Sequence, residues 1–136
     1  MRNIVFTLGC AFVAFLAGVL VYLYNQPQRP LVSETGIPVT AIELYAQFSS
    51  DHLQANQVYL NKVLEVSGQV LAIKNTPYAA RIVVLNTGDP MYGIACTLNK
   101  LQSKNRLVKP GEKIIIKGIC SGYVSNVMLT NSSLVN

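Results

Sequence analysis

The chain has 136 residues, 51% of them apolar, with 11 Lys+Arg against 6 Asp+Glu and a net charge of +5. That length gives one small domain the material for its own core and excludes a large multidomain enzyme. The positive excess is mild and scattered from Lys62 to Lys117, which reads as a solvated basic surface rather than a dense phosphate-binding face.

No charged side chain occurs from Asn3 to Gln28, and Ile4 to Tyr24 is apolar except for Thr7, Gly9 and Gly18. At about 1.5 Å per helical residue that run spans roughly 30 Å, the hydrocarbon thickness of a bilayer. A cleaved signal peptide has a shorter apolar region, about 7–15 residues, closed by small residues at a cleavage site. Leu8-Gly9-Cys10 resembles the end of a lipobox, but too little apolar sequence precedes Cys10 and the long apolar run follows it. Residues 1–25 are therefore expected to be a retained transmembrane anchor, meeting the membrane through residues 4–24. Arg2 ahead of the span favours a cytoplasmic N-terminus, and Tyr22 and Tyr24 suit the outer interface. The domain is then expected outside the cytoplasm. Residues 26–39, which contain Pro27, Pro30 and Pro38, read as a stiff linker.

Residues 40–136 read as the domain. Thr40-Ala41-Ile42-Glu43 is a capping box, predicting a helix with Ile42, Tyr45 and Phe48 on one face. Ser49-Ser50-Asp51 interrupts that helix and caps a second one ending near Tyr59. From Val63 the apolar period becomes two, with Leu64, Val66, Gly68, Val70 and Ala72 on one face and Gly68 at a bend or bulge. Further strands are predicted over Ala79 to Asn86, Tyr92 to Leu98, Lys113 to Cys120 and Val127 to Leu134. Asn99 to Leu107 reads as a short helix or loop. Three strands, a connecting segment and two more strands follow the order of an oligonucleotide/oligosaccharide-binding (OB) barrel. The fold expected is mainly β: a five-stranded OB-type barrel, preceded by one or two short helices and an N-terminal transmembrane helix.

A family resemblance rests on these same residues. Tyr24-Asn25-Gln26-Pro27, Thr40-Ala41, Leu44-Tyr45, Phe48, Ala55-Asn56, Tyr59-Leu60 and Val66-Ser67-Gly68 are similar to the bacterial tRNA_anti-like proteins. So are Cys96, Lys117-Gly118-Ile119-Cys120-Ser121-Gly122-Tyr123 and Val127-Met128-Leu129. The resemblance covers about residues 22–135. It implies a small OB-fold protein of the bacterial cell envelope, single-pass with a periplasmic or extracellular domain. It implies no particular chemistry, and the family name is not itself a sign of tRNA binding. Members often carry an acid where this chain has Asn126.

Candidate sites are few. Cys96 and Cys120 share the inward parity of their strands and form either a disulfide, in an oxidising compartment, or two buried thiols. Two cysteines and the distant His52 lack the number and spacing of a metal site, and no C-x-x-C motif is present. Tyr78, Arg81, Tyr92, Lys117 and Tyr123 could together form a ligand surface of rings and cations, or else the tyrosines pack with their hydroxyls wet. His52 stands without a nucleophile signature, the acids stand singly, and no phosphate-cradling glycine loop occurs. No catalytic residue and no cofactor is expected. The function expected is a non-catalytic, membrane-tethered binding module for a protein, peptide or glycan. The alternatives are a nucleic-acid-binding domain, disfavoured if the domain is exported, or a redox protein using Cys96 and Cys120.

Overall fold

The computed structural model describes residues 2–25, 34–77, 80–98 and 106–135. The chain divides into two compact units, residues 1–30 and 31–136. The first is a single helix, α1 (Arg2–Tyr24). Its Thr7–Tyr24 stretch is long and apolar enough to cross a membrane, which fits a membrane-anchored or exported chain.

The second unit holds β1 (Ile37–Thr40), α2 (Ala41–Ser50), α3 (His52–Tyr59), β2 (Val63–Asn75), β3 (Arg81–Asn86), β4 (Gly93–Leu98), β5 (Lys113–Tyr123) and β6 (Val127–Val135). The strands run in the order β1-β2-β3-β4-β6-β5, and pairing of β2 with β5 closes the last five into a barrel. Closure removes the free edges that short strands would otherwise expose. The expected mainly β, five-stranded OB-type barrel is thus the fold observed. Tyr78 and most of the 99–107 segment lie outside the described residues.

Local chemistry sets the helices. The Thr40 hydroxyl accepts from the Glu43 N–H, and Glu43 reaches back to the Thr40 N–H, completing the capping box of α2. Asp51 caps α3 by accepting from the N–H groups of Leu53 and Gln54. The buried face of α2 is Ala41, Leu44 and Phe48, with Tyr45 packed at its edge; of the expected Ile42, Tyr45 and Phe48, only Ile42 is off the core. Leu44 and Phe48 sit one turn apart over the barrel, while Ile42 is left 62% exposed. In α3 only Ala55 and Tyr59 are buried.

Two further expectations are corrected. Ile37 to Val39, expected as linker, form most of β1, a strand lying parallel to β2 from Leu64 to Ser67. Four residues with a proline among them show no usable period, and the pairing is with a partner distant in sequence. Ala72 was placed on the core face of β2, but the register of β2 against β3 shifts between Val70 and Ala72. The irregularity switches parity, so Ile73 packs on the core instead. Gly68 lies before the shift. Its lack of a side chain answers a packing need: a Cβ there would sit 2.9 Å from that of Ala41.

The core is one cluster joining α2 and α3 to the barrel interior, with Leu64, Val66, Val83, Leu85, Ile94, Ile116, Val127 and Leu129 fully buried. At about 25 cal/mol per Å² of apolar surface, such a core can hold the unit without metal or disulfide.

Candidate binding groove

The 31–136 unit carries a groove of about 660 Å³. Its floor follows from strand register. Thr40 on β1 pairs with Ser67 on β2, Ser67 with Ile115 on β5, and Ile115 with Val135 on β6. All four line the groove. Ser67 follows the core residue Val66, and Ile115 stands between the buried Ile114 and Ile116, so the row lies on the outside of the barrel. Three strand spacings of about 4.8 Å give a floor about 14 Å wide. Two residues along, Gln69 pairs with Lys113 and extends the same face.

The walls come from three other elements. Ile42 stands at the start of α2, Asn86 and Gly88 at the end of β3, and Arg106 ahead of β5. Asn86 is held by accepting from the Gly88 N–H. Gly88 has φ +85°, in the left-handed region that favours glycine. Gln69 donates to the Gly111 carbonyl. Arg106 forms an ion pair with Glu112. The N–H of Lys109, together with Arg106, holds the Glu112 carboxyl below its ordinary range. Lys113 makes no ion pair among the described residues. The groove can therefore supply cations, hydroxyls and amides beside aliphatic side chains.

Of the five residues expected to form a ligand surface, the four described ones, Arg81, Tyr92, Lys117 and Tyr123, do not line this groove. Tyr78 lies outside the described residues. Tyr123 stacks on Phe48, with ring centroids 5.7 Å apart, and meets Tyr45 edge-on at 6.3 Å. Its ring thus serves the junction of α2 with the barrel. Burial, then Asp89 and Tyr123, push the Tyr45 phenol up. Tyr92 adjoins that cluster, its N–H bound by Asp89. Lys117 faces Glu65 and Ser133 across neighbouring strands. Arg81 opens β3 against Asn75 and Leu98. Arg81 pairs with β2 at Asn75 and Lys117 pairs with it at Glu65, towards opposite ends of that strand, so these two cations do not converge.

Of the two alternatives open for Cys96 and Cys120, a disulfide or two buried thiols, the structure has the second. Both pair with Leu129, one from each side. With β6 between them, their Cα atoms stand about 10 Å apart, beyond the roughly 7 Å a disulfide spans. Burial pushes both thiols up, so neither is poised as a thiolate.

At the opposite end of β4, the Asn126 side chain accepts from the Gly93 N–H at 2.8 Å. This ties the β5–β6 turn to the start of β4. A carboxylate at this position could accept the same hydrogen bond.

The outer face of β3 and β4 carries Ile82, Val84, Ala95 and Thr97, paired across the two strands. OB barrels that bind oligonucleotides use this face. Among the described residues of β3 and β4 this face presents no aromatic ring.

The sequence matches the tRNA_anti-like family over residues 1–134. The fold is similar to that of a candidate nucleic acid-binding lipoprotein from Klebsiella pneumoniae subsp. pneumoniae MGH 78578. That match has 18% identity and a TM-score of 0.55, over 82% of this chain and 100% of the other. A chain from the yeast Stn1 and Ten1 structure aligns at 14% identity and a TM-score of 0.49, over 76% of this chain and 65% of the other. At these identities the likeness is one of fold. No curated protein matches the sequence.

Proposed function

The chain belongs to the tRNA_anti-like family, and from that premise we propose that it is a non-catalytic binding module. Helix α1 holds it at a bacterial membrane, and its barrel presents a groove outside the cytoplasm to a protein, peptide or glycan. The groove is the observation that carries this reading. Its volume of about 660 Å³ falls in the range of ligand sites, about 300–1,000 Å³. Its described lining offers cations, hydroxyls and amides, but no imidazole, carboxylate or thiol to act as a base or nucleophile. The apolar Thr7–Tyr24 stretch and the single Arg2 ahead of it support the membrane placement.

Two measurements test it. Alkaline phosphatase fused after Asn136 is expected to be active, because the enzyme folds where disulfides form. An inactive fusion with an active cytoplasmic reporter refutes the placement. Capture of the intact protein from membranes is expected to enrich one partner or glycan; an empty capture refutes the binding role.

Single-stranded nucleic acid is a second reading, favoured by the description of the Klebsiella relative. It requires oligonucleotide affinity that falls steeply with salt. The absence of rings from the described β3–β4 face weighs against it, since stacking supplies much of such binding.

A further inference from the structure

We infer that the groove takes an extended peptide segment in which a carboxylate stands beside aliphatic side chains. This deepens the binding-module reading and rests on it.

Three features of the lining select that ligand. Ile42, Ile115 and Val135 give it an aliphatic surface, with Ile42 62% and Ile115 39% exposed. Such side chains offer apolar groups of a ligand a surface to leave water against. The described lining contains no aromatic side chain, so nucleobases and sugar rings find no stacking platform. Finally, the charge is positive. Arg106 is neutralised by Glu112, whereas Lys113 is exposed and without an ion pair among the described residues. An incoming carboxylate therefore meets Lys113 first, while Glu112 repels an acid placed beside Arg106. The ligand's carboxylate belongs at the Lys113 side of the floor, and its aliphatic groups along Ile115 and Val135. A floor about 14 Å wide accommodates about four extended residues. The Ser67 hydroxyl and the Gln69 amide on the floor, and the Asn86 amide in the wall, stand where they can meet a peptide backbone.

The test is selection of displayed short random peptides on the full chain held in lipid nanodiscs. Wild type, Lys113→Glu and Ile115→Thr are compared, with circular dichroism to verify that each variant is folded. Enriched sequences are expected to set Asp or Glu next to Ile, Leu or Val. A synthetic peptide from that pool is expected to bind Lys113→Glu about tenfold more weakly or worse, and to weaken as salt rises. Enrichment of basic or aromatic peptides, equal binding to Lys113→Glu, or no enrichment overturns the inference. Oligothymidylate and an N-acetylglucosamine oligomer are run in parallel. If either binds in a manner that depends on Lys113 while peptides do not, the peptide class is wrong but the binding-module reading stands. If nothing binds and the membrane capture is empty, both fall.

Discussion

Replacing Asn126 by Ala removes the acceptor that holds the Gly93 N–H at 2.8 Å. Gly93 is buried, and the space beside its Cα is filled: a Cβ there would lie 2.6 Å from the Leu85 carbonyl oxygen. The strand cannot turn that N–H toward water without breaking its pairing with β3. The donor is left unsatisfied, at about 1–3 kcal/mol. Asn126→Asp keeps an oxygen in place and makes the bond charge-assisted. It should therefore match wild type at neutral pH to within about 0.5 kcal/mol, or exceed it. The assay is urea unfolding of residues 31–136, a unit with its own core, followed by circular dichroism. With a slope of about 1–1.5 kcal/mol/M, a loss of about 2 kcal/mol moves the midpoint down by about 1–2 M. An Ala variant with an unchanged midpoint, or an Asp variant as unstable as the Ala one, refutes the reasoning.

Phe48 is fully buried against Tyr59 and Tyr123, so Phe48→Ala is expected to cost about 3–5 kcal/mol in the same assay. Gly93→Ala forces a methyl against the Leu85 carbonyl and is expected to cost about 1–3 kcal/mol or prevent folding, read as soluble yield and urea midpoint. Cys96 and Cys120 in residues 31–136 are expected to resist a thiol reagent until urea unfolds the barrel, and a reductant is expected not to shift the thermal midpoint. Glu112 has a lowered folded value, for which Lys109 and then Arg106 are responsible. Its stabilising contribution is thus present above its unfolded value, about 4.3, and lost as pH falls through the folded one. Glu112→Gln is expected to flatten the acid side of a stability–pH profile, and an unchanged slope there refutes the assignment.

Much of the fold was written in local pattern. The capping box at Thr40, the Asp51 recap and the alternation from Val63 each act within a few residues, and each appears in the structure. What escaped was non-local. β1 exists because Ile37–Thr40 meets β2 from Leu64 to Ser67, a pairing with no local signature. The Ala72 misplacement came from one residue of irregular register. Tyr123 looked like a ligand contact because a ring near a strand end reads the same whether a helix covers it or not; here Phe48 covers it. The groove was least legible. Its floor joins positions 40, 67, 115 and 135, and only the full set of registers makes them neighbours. The outward alternation of Lys113, Ile115 and Lys117 on β5 was the one available clue.

The barrel's strand order favours one route of assembly over others. β2, β3 and β4 follow one another in sequence and pair as a meander, so they can form from contacts of short separation. That sheet is left with two raw edges, on β2 and on β4. A single late element closes both: the β5–β6 hairpin bonds β2 through β5 and β4 through β6. Loop closure across that distance costs entropy before any new contact repays it, which makes hairpin insertion the slow step. Until it happens, the half-built sheet offers two templates for pairing with another chain. Conditions that delay the hairpin should therefore increase aggregation more than they lower the stability of the finished domain.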